Sequence, residues 1–199
     1  FFKKSADKLI SDLLQKKEID GISDIAEIFP TRVFPEAVGL KKIDKETLLG
    51  YGAMVFNALG PDNEFRKDAM AKGLSVLEKI NKQCLEENID ADGLAKEIYR
   101  STAEKSEEDQ LAGMLVRSLL SAGIDTTVSA IGNLLWCFTD NPEQFQLVKD
   151  DKSLVGNAVE ESLRLTSPVK AFCRTSAIDT EVSGVVIEEG TKILCVLGS

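Results

Sequence analysis

Asp125 and Thr126 stand side by side in "SAGIDTT", at the centre of the apolar run "LAGMLVRSLLSAGIDTTVSAIGNLLWCF". A carboxyl beside a hydroxyl is a proton-handling pair, and a helix favours neither at its middle. Asp and Thr compete for backbone hydrogen bonds, and Gly123 weakens a helix by about 1 kcal/mol. Either Asp125 and Thr126 cap a second helix, or one helix is deformed to do chemistry. Upstream, Ser121 and Arg117 step back from Asp125 by fours, with Ser118 on the same side. A cation with two hydroxyls suits a substrate carboxylate; alternatively, Arg117 pairs with an acid of the 104–109 cluster on a helix edge. Glu161 and Arg164, in "EESLR", share a helical face three residues apart, the spacing of an ordinary surface ion pair. Arg174, in "SPVKAFCRT", reads by itself as a solvated strand residue.

These groups need elements to hold them. Leu9, Leu13 and their neighbours recur at helical spacing, so 1–18 reads as an amphipathic helix. A helix made irregular by Pro30 and Pro35 is expected from Ser23 to about Gly39. Another begins near Asp44 and ends at Gly60-Pro61. Met70, Leu74, Leu77, Ile80 and Cys84 mark one face of a helix over about 62–88, and a shorter helix follows from about Asp92 to Ala103. Ser106 is a good cap for the next, with acids in its first turn. Apolar phase runs through Leu111, Leu115 and Leu119 and resumes at Val128, Ile131 and Leu135, which favours one long helix across "AGIDTT". Pro142 opens a short helix, and the helix carrying "EESLR" ends at Ser167-Pro168. Beyond it, "VKAFCRTS", "TEVSG", "VVIEEG" and "TKILCVLG" read as strands. The expectation is a mainly α fold with a small antiparallel β region: a helical body over 1–166 and a β region over 167–199.

Composition narrows the function. The 199 residues are 43% hydrophobic, enough for a real core. Thirty-three acidic against 24 basic residues give a net charge of −9, which argues against nucleic acid or an anionic membrane as partner. Arg117, Asp125 and Asn133 interrupt the best candidate for a membrane span. The absence of histidine excludes histidine bases and ligands within this chain. Cys84, Cys137, Cys173 and Cys195 form no metal-binding spacing and read as reduced thiols of a cytoplasmic protein. "FFKKSADKLI" reads as the middle of a helix and the chain stops just after an apolar strand, so a fragment truncated at both ends is expected.

Three motifs line up in order: "AGIDTT" (122–127) in a long helix, "EESLR" (160–164) in a later helix, and "SPVKAFCRT" (167–175) entering the first strand. This succession resembles the cytochrome P450 superfamily, bacterial soluble type: its oxygen-activation motif in the I helix, its ExxR motif in the K helix and the strand beyond. The resemblance implies a partial P450 fold, from about helix D to helix K plus the following strands. It implies a heme-thiolate monooxygenase that inserts one oxygen atom from dioxygen into an organic substrate, with heme b and a ferredoxin-type redox partner. Asp125 and Thr126 would deliver protons, with Ala122, Gly123 and Arg174 at the heme, Gly123 by letting it approach the backbone and Arg174 at a propionate. Glu161 and Arg164 would form a buried structural network.

None of the four cysteines lies in the Phe- and Gly-containing loop that holds the family's iron. The fragment alone is therefore expected to be inactive, to bind heme unstably and to self-associate through bared apolar surface. The alternative is a non-catalytic helical scaffold or interaction protein derived from a P450. "VRSLLSAGIDTT" resembles the I helix of bacterial P450s that oxidise para-substituted aromatic acids, by hydroxylation or O-demethylation. That implies a small aromatic substrate with its carboxylate on Arg117, Ser118 and Ser121 and its ring against Val169 and Phe172. Lys170 departs from the apolar character of that strand.

Overall fold

Short polar side chains set where the first helices begin. Asp20 accepts hydrogen bonds from the backbone N–H groups of Ile22 and Ser23 at 2.9 and 2.7 Å. Asp44 accepts from Thr47 at 2.7 Å and Asn63 from Arg66 at 3.1 Å. Each bond satisfies a donor that a helix start leaves open, and these bonds hold the Asp20 and Asp44 carboxyls below the usual aspartate range. The computed structural model describes residues 1–40, 43–103 and 109–198, the side chains of 103, 109 and 110 excepted. The expected cap Ser106 lies outside the described residues.

The helices are α1 (Phe2–Leu13), α2 (Ile28–Val38), α3 (Lys45–Leu59), α4 (Glu64–Gln83), α5 (Leu94–Ala103), α6 (Asp109–Asp140), α7 (Pro142–Asp150) and α8 (Val155–Thr166). The first stops short of the expected residue 18. The irregular helix expected from Ser23 is a π-helical turn, Gly21–Ala26, that gives way to α2. By contacts the chain divides within α6 into two units, Phe1–Gly132 and Asn133–Ser199, so α7 and α8 group with the strands.

The first unit is built around α6. Ala112, Val116, Leu120 and Ile124, four residues apart, are fully buried along it. The last three join Leu48 and Tyr51 of α3, Ile80 of α4 with its cap Cys84, Ala95 of α5, and Val38, Leu40 and Ile89 in one core. α2 ends on Gly39 in the left-handed conformation, φ 86°. A β-carbon there would also lie 2.5 Å from Gly93 Cα, so the α2 and α5 ends meet backbone to backbone. The expected apolar face of α4 packs on the core at Leu77, Ile80 and Cys84 and needs correction only nearer its start. Met70 and Leu74 are exposed, and the buried positions are Ala69, Gly73 and Ile80. Leu111–Asp140 is long and apolar enough to cross a membrane by length and composition alone, despite its three polar interruptions; its buried seam makes it the core helix of this unit.

In the second unit, Pro142 opens α7 and Phe145 packs on Phe138 at 5.0 Å between ring centroids. α8 ends at Ser167, whose N–H donates to Leu163 O at 2.9 Å. The four expected strands are present as β1 (Ala171–Thr175), β2 (Thr180–Val182), β3 (Val185–Ile187) and β4 (Lys192–Val196). They form two separate antiparallel ladders. β1 pairs β4 from Ala171↔Val196 to Thr175↔Lys192, and β2 pairs β3 through a tight turn at Ser183-Gly184. Both turn residues have positive φ, 52° and 81°, as a type I′ hairpin requires.

Candidate active site

α6 runs without a break through "AGIDTT". Thr126 Oγ1 donates to the carbonyl of Ala122, one turn back, at 2.6 Å, so Thr126 does not cap a second helix. With its hydrogen committed to the backbone, the hydroxyl oxygen remains an acceptor. Ala122 beside it is exposed and Thr126 partly so.

Asp125, next in sequence, points to α3. A β-carbon on Gly52 would lie 3.1 Å from Asp125 Cβ and 3.5 Å from its Oδ1. The carboxyl is half-buried, and burial raises its pKa above the ordinary aspartate value. The group therefore holds its proton to higher pH than a solvated aspartate. In stability the sign is that of a raised carboxylate: full below the ordinary range, falling as pH rises through the folded-state value.

Gly123 serves a different contact from the one expected. A β-carbon there would sit 2.5 Å from both Cε atoms of Phe34. The close approach that this glycine permits is made by a ring of α2, and the space beside its backbone is taken.

Arg117 and Ser121 lie one turn apart on α6, and Ser118 comes between them in sequence. Ser118 is exposed and its hydroxyl donates to Leu115 O at 2.7 Å; Ser121 Oγ donates to Ser118 O at 3.0 Å. Arg117 leans to α4, where its Nη1 donates to Asn81 Oδ1 at 2.7 Å. Tyr51 of α3 donates its hydroxyl to the Arg117 carbonyl at 3.4 Å. The Arg117 charge also reaches the buried Cys84, which burial nonetheless pushes up to about 11, a poor thiolate. The acids of the 104–109 cluster lie outside the described side chains.

The second unit carries the other motifs. Glu161 and Arg164 form the expected pair, with Arg164 Nε and Nη2 each donating to a Glu161 oxygen at 2.7 Å. These bonds hold the Glu161 carboxyl below its usual range. Within this chain the pair is not buried: the two side chains are 67% and 52% exposed, a correction to the buried network implied by resemblance. Its physical reason is that none of the second unit's described residues covers this face of α8. Glu161 borders a cleft lined by Leu134, Cys137, Phe138, Ser162 and Leu165. Arg174 is exposed on β1, donates to Cys173 O at 2.9 Å and stacks 5.2 Å over the Phe172 ring. Val169 is half-buried. The Lys170 ammonium donates to Thr166 O at the C-terminus of α8, where a cation meets the helix dipole, so its charge is accounted for locally.

The family model for cytochrome P450 matches residues 47–199. The chain belongs to the cytochrome P450 family. It is 42% identical over 201 residues to the cytochrome P450 CYP199A2 of Rhodopseudomonas palustris, covering all of this chain and 48% of that protein. It is 28% identical to the biotin biosynthesis cytochrome P450 of Bacillus subtilis, covering 96% of this chain and 49% of that protein. In three dimensions it matches P450BioI, solved with an acyl carrier protein bearing hexadec-9Z-enoic acid, with a TM-score of 0.82 and 23% identity over 99% of this chain and 52% of that one. It thus has a partial P450 fold and spans about half the length of the curated relatives it matches.

Full-length P450s carry heme b. Two features of this chain fit that group. Arg174 offers an exposed guanidinium that makes no ion pair among the described residues, the chemistry of a propionate partner. Ala122 presents a small exposed side chain beside Thr126. Sequence reasoning missed Phe34, Gly52, Tyr51 and Asn81. The two glycines in "LLGYGAMVF" were the only available signal, since a glycine within an apolar helix marks close approach. Nothing local marked Asn81.

Proposed function

We propose that this chain is the central part of a cytoplasmic heme-thiolate monooxygenase acting on a para-substituted aromatic acid, with electrons from a ferredoxin-type partner. The observation that carries the reading is the Thr126–Ala122 hydrogen bond on an exposed stretch of α6, with the half-buried Asp125 next to it. When bound, heme supplies dioxygen activation; one oxygen atom enters a substrate C–H bond and the other leaves as water, consuming two electrons and two protons. Thr126 Oγ1, its own hydrogen held by the Ala122 carbonyl, accepts a hydrogen bond from an incoming water and orients it. Asp125 supplies protons from a carboxyl that burial makes a weaker acid than a solvated aspartate. Ala122 in the first unit and Arg174 in the second would each hold heme when it is bound; the Phe34 contact at Gly123 fixes the backbone that carries Thr126.

Arg117 is the counter-charge to the substrate carboxylate, and Ser118 and Ser121 donate to it by turning their hydroxyls away from Leu115 O and Ser118 O. Val169 and Phe172 offer apolar surface suited to an aromatic ring. The experiment is turnover of 4-methylbenzoate by the full-length protein under labelled dioxygen. The expected product is 4-(hydroxymethyl)benzoate with one labelled oxygen in the new hydroxyl; an unlabelled hydroxyl, or no product, contradicts the reading.

A further inference from the structure

Arg117 is a partly buried cation in a chain of net charge −9, yet none of the nine ion pairs among the described residues uses it. What holds it is an amide. Asn81, on α4 and 36 residues away in sequence, accepts from Nη1 at 2.7 Å. The Tyr51 hydroxyl fixes the same turn of α6 from α3. Among the described residues this bond uses one of the five guanidinium N–H donors, and no carboxylate cancels the positive charge. The surviving field is felt nearby: it opposes the upward effect of burial on both the Tyr51 phenol and the Cys84 thiol.

We propose that Asn81 is a positioning residue for substrate selection, a neutral anchor that directs Arg117 while leaving its charge for a substrate carboxylate. This rests on the reading of α6 as a carboxylate receptor. An aspartate at the same place would accept the same hydrogen bond in nearly the same geometry, but would form an ion pair and discharge the guanidinium locally. Charge at position 81, rather than shape, then decides how well an acid is preferred over its ester.

The test is a titration of the full-length, heme-loaded protein with 4-methoxybenzoate and with its methyl ester, followed by the shift in the heme absorption band. For Asn81→Asp the acid should bind about fivefold more weakly at low salt, as an exposed ion pair warrants, with the ester unchanged. The difference should shrink at high salt. Asn81→Gln, still a neutral acceptor, should keep the wild-type ratio of acid to ester affinity. A fold defect would weaken both ligands alike, so the ratio reads position 81 alone. If Arg117→Ala weakens acid binding while Asn81→Asp leaves the ratio unchanged, or if Gln lowers it as much as Asp, the role of Asn81 is overturned and the receptor stands. If Arg117→Ala leaves acid binding unchanged, the receptor reading falls, and the role of Asn81 with it.

Discussion

In the full-length enzyme, Thr126→Ala will bind heme and substrate as the wild type does but will send most of its electrons to hydrogen peroxide. The reason lies in what the substitution removes. The backbone of α6 is continuous through this turn, and alanine is the better helix former, so the fold has no cause to change. What goes is one hydroxyl, fixed by its 2.6 Å bond to Ala122 O, and with it the acceptor that orients a proton-carrying water. A positioned proton donor contributes roughly a hundredfold or more to rate, so a roughly tenfold fall in product per electron is a modest expectation. Peroxide should rise to match. Unchanged product yield per electron would remove Thr126 from the proton path. Asp125→Asn should behave differently, slowing turnover because the amide cannot give up a proton.

Gly123→Ala will destabilise the protein although alanine favours helix by about 1 kcal/mol. The new methyl would enter the Phe34 ring, 2.5 Å from its Cε atoms, and Phe34 packs on the first unit's core, so the ring has little room to retreat. Overpacking of this kind costs about 1–3 kcal/mol, which for a chain of this size lowers Tm by roughly 2–12 °C. The pair should be strongly non-additive: Phe34→Leu in the same protein should restore part of the loss. Thermal unfolding of the two single variants and the double variant measures this. A Gly123→Ala protein as stable as the wild type would show that the ring yields freely.

The long helix was legible because Leu111, Leu115 and Leu119 keep phase with Val128, Ile131 and Leu135 across the polar turn. The helix starts at Asp44 and Pro142 were legible because the chemistry of a helix start is local. On α4, Leu77, Ile80 and Cys84 were legible as core positions and the start of the buried face was not. Periodicity gives weight to large side chains, and it selected Met70 and Leu74. The α3–α4 contact there instead uses small residues: a β-carbon at Gly73 would lie 2.7 Å from Met54 Cγ, with Ala69 and Gly73 buried while Met70 and Leu74 face outward. The same limit applied at the site. The acid, the alcohol and the arginine could be named from spacing, but Phe34, Gly52 and Asn81 reach them across 89, 73 and 36 residues of sequence, and contacts of that range leave no periodic trace.

In the proposed function one face of α6 receives a substrate carboxylate one to two turns from the residues that manage protons. The most direct measurement is the relative affinity of the full-length, heme-loaded wild-type protein for 4-methoxybenzoate and for its methyl ester. The expected result is an acid that binds at least about tenfold more tightly than the ester, the worth of a charge-assisted contact to arginine, with most of that advantage lost in Arg117→Ala. Equal affinity for acid and ester in the wild type would contradict it.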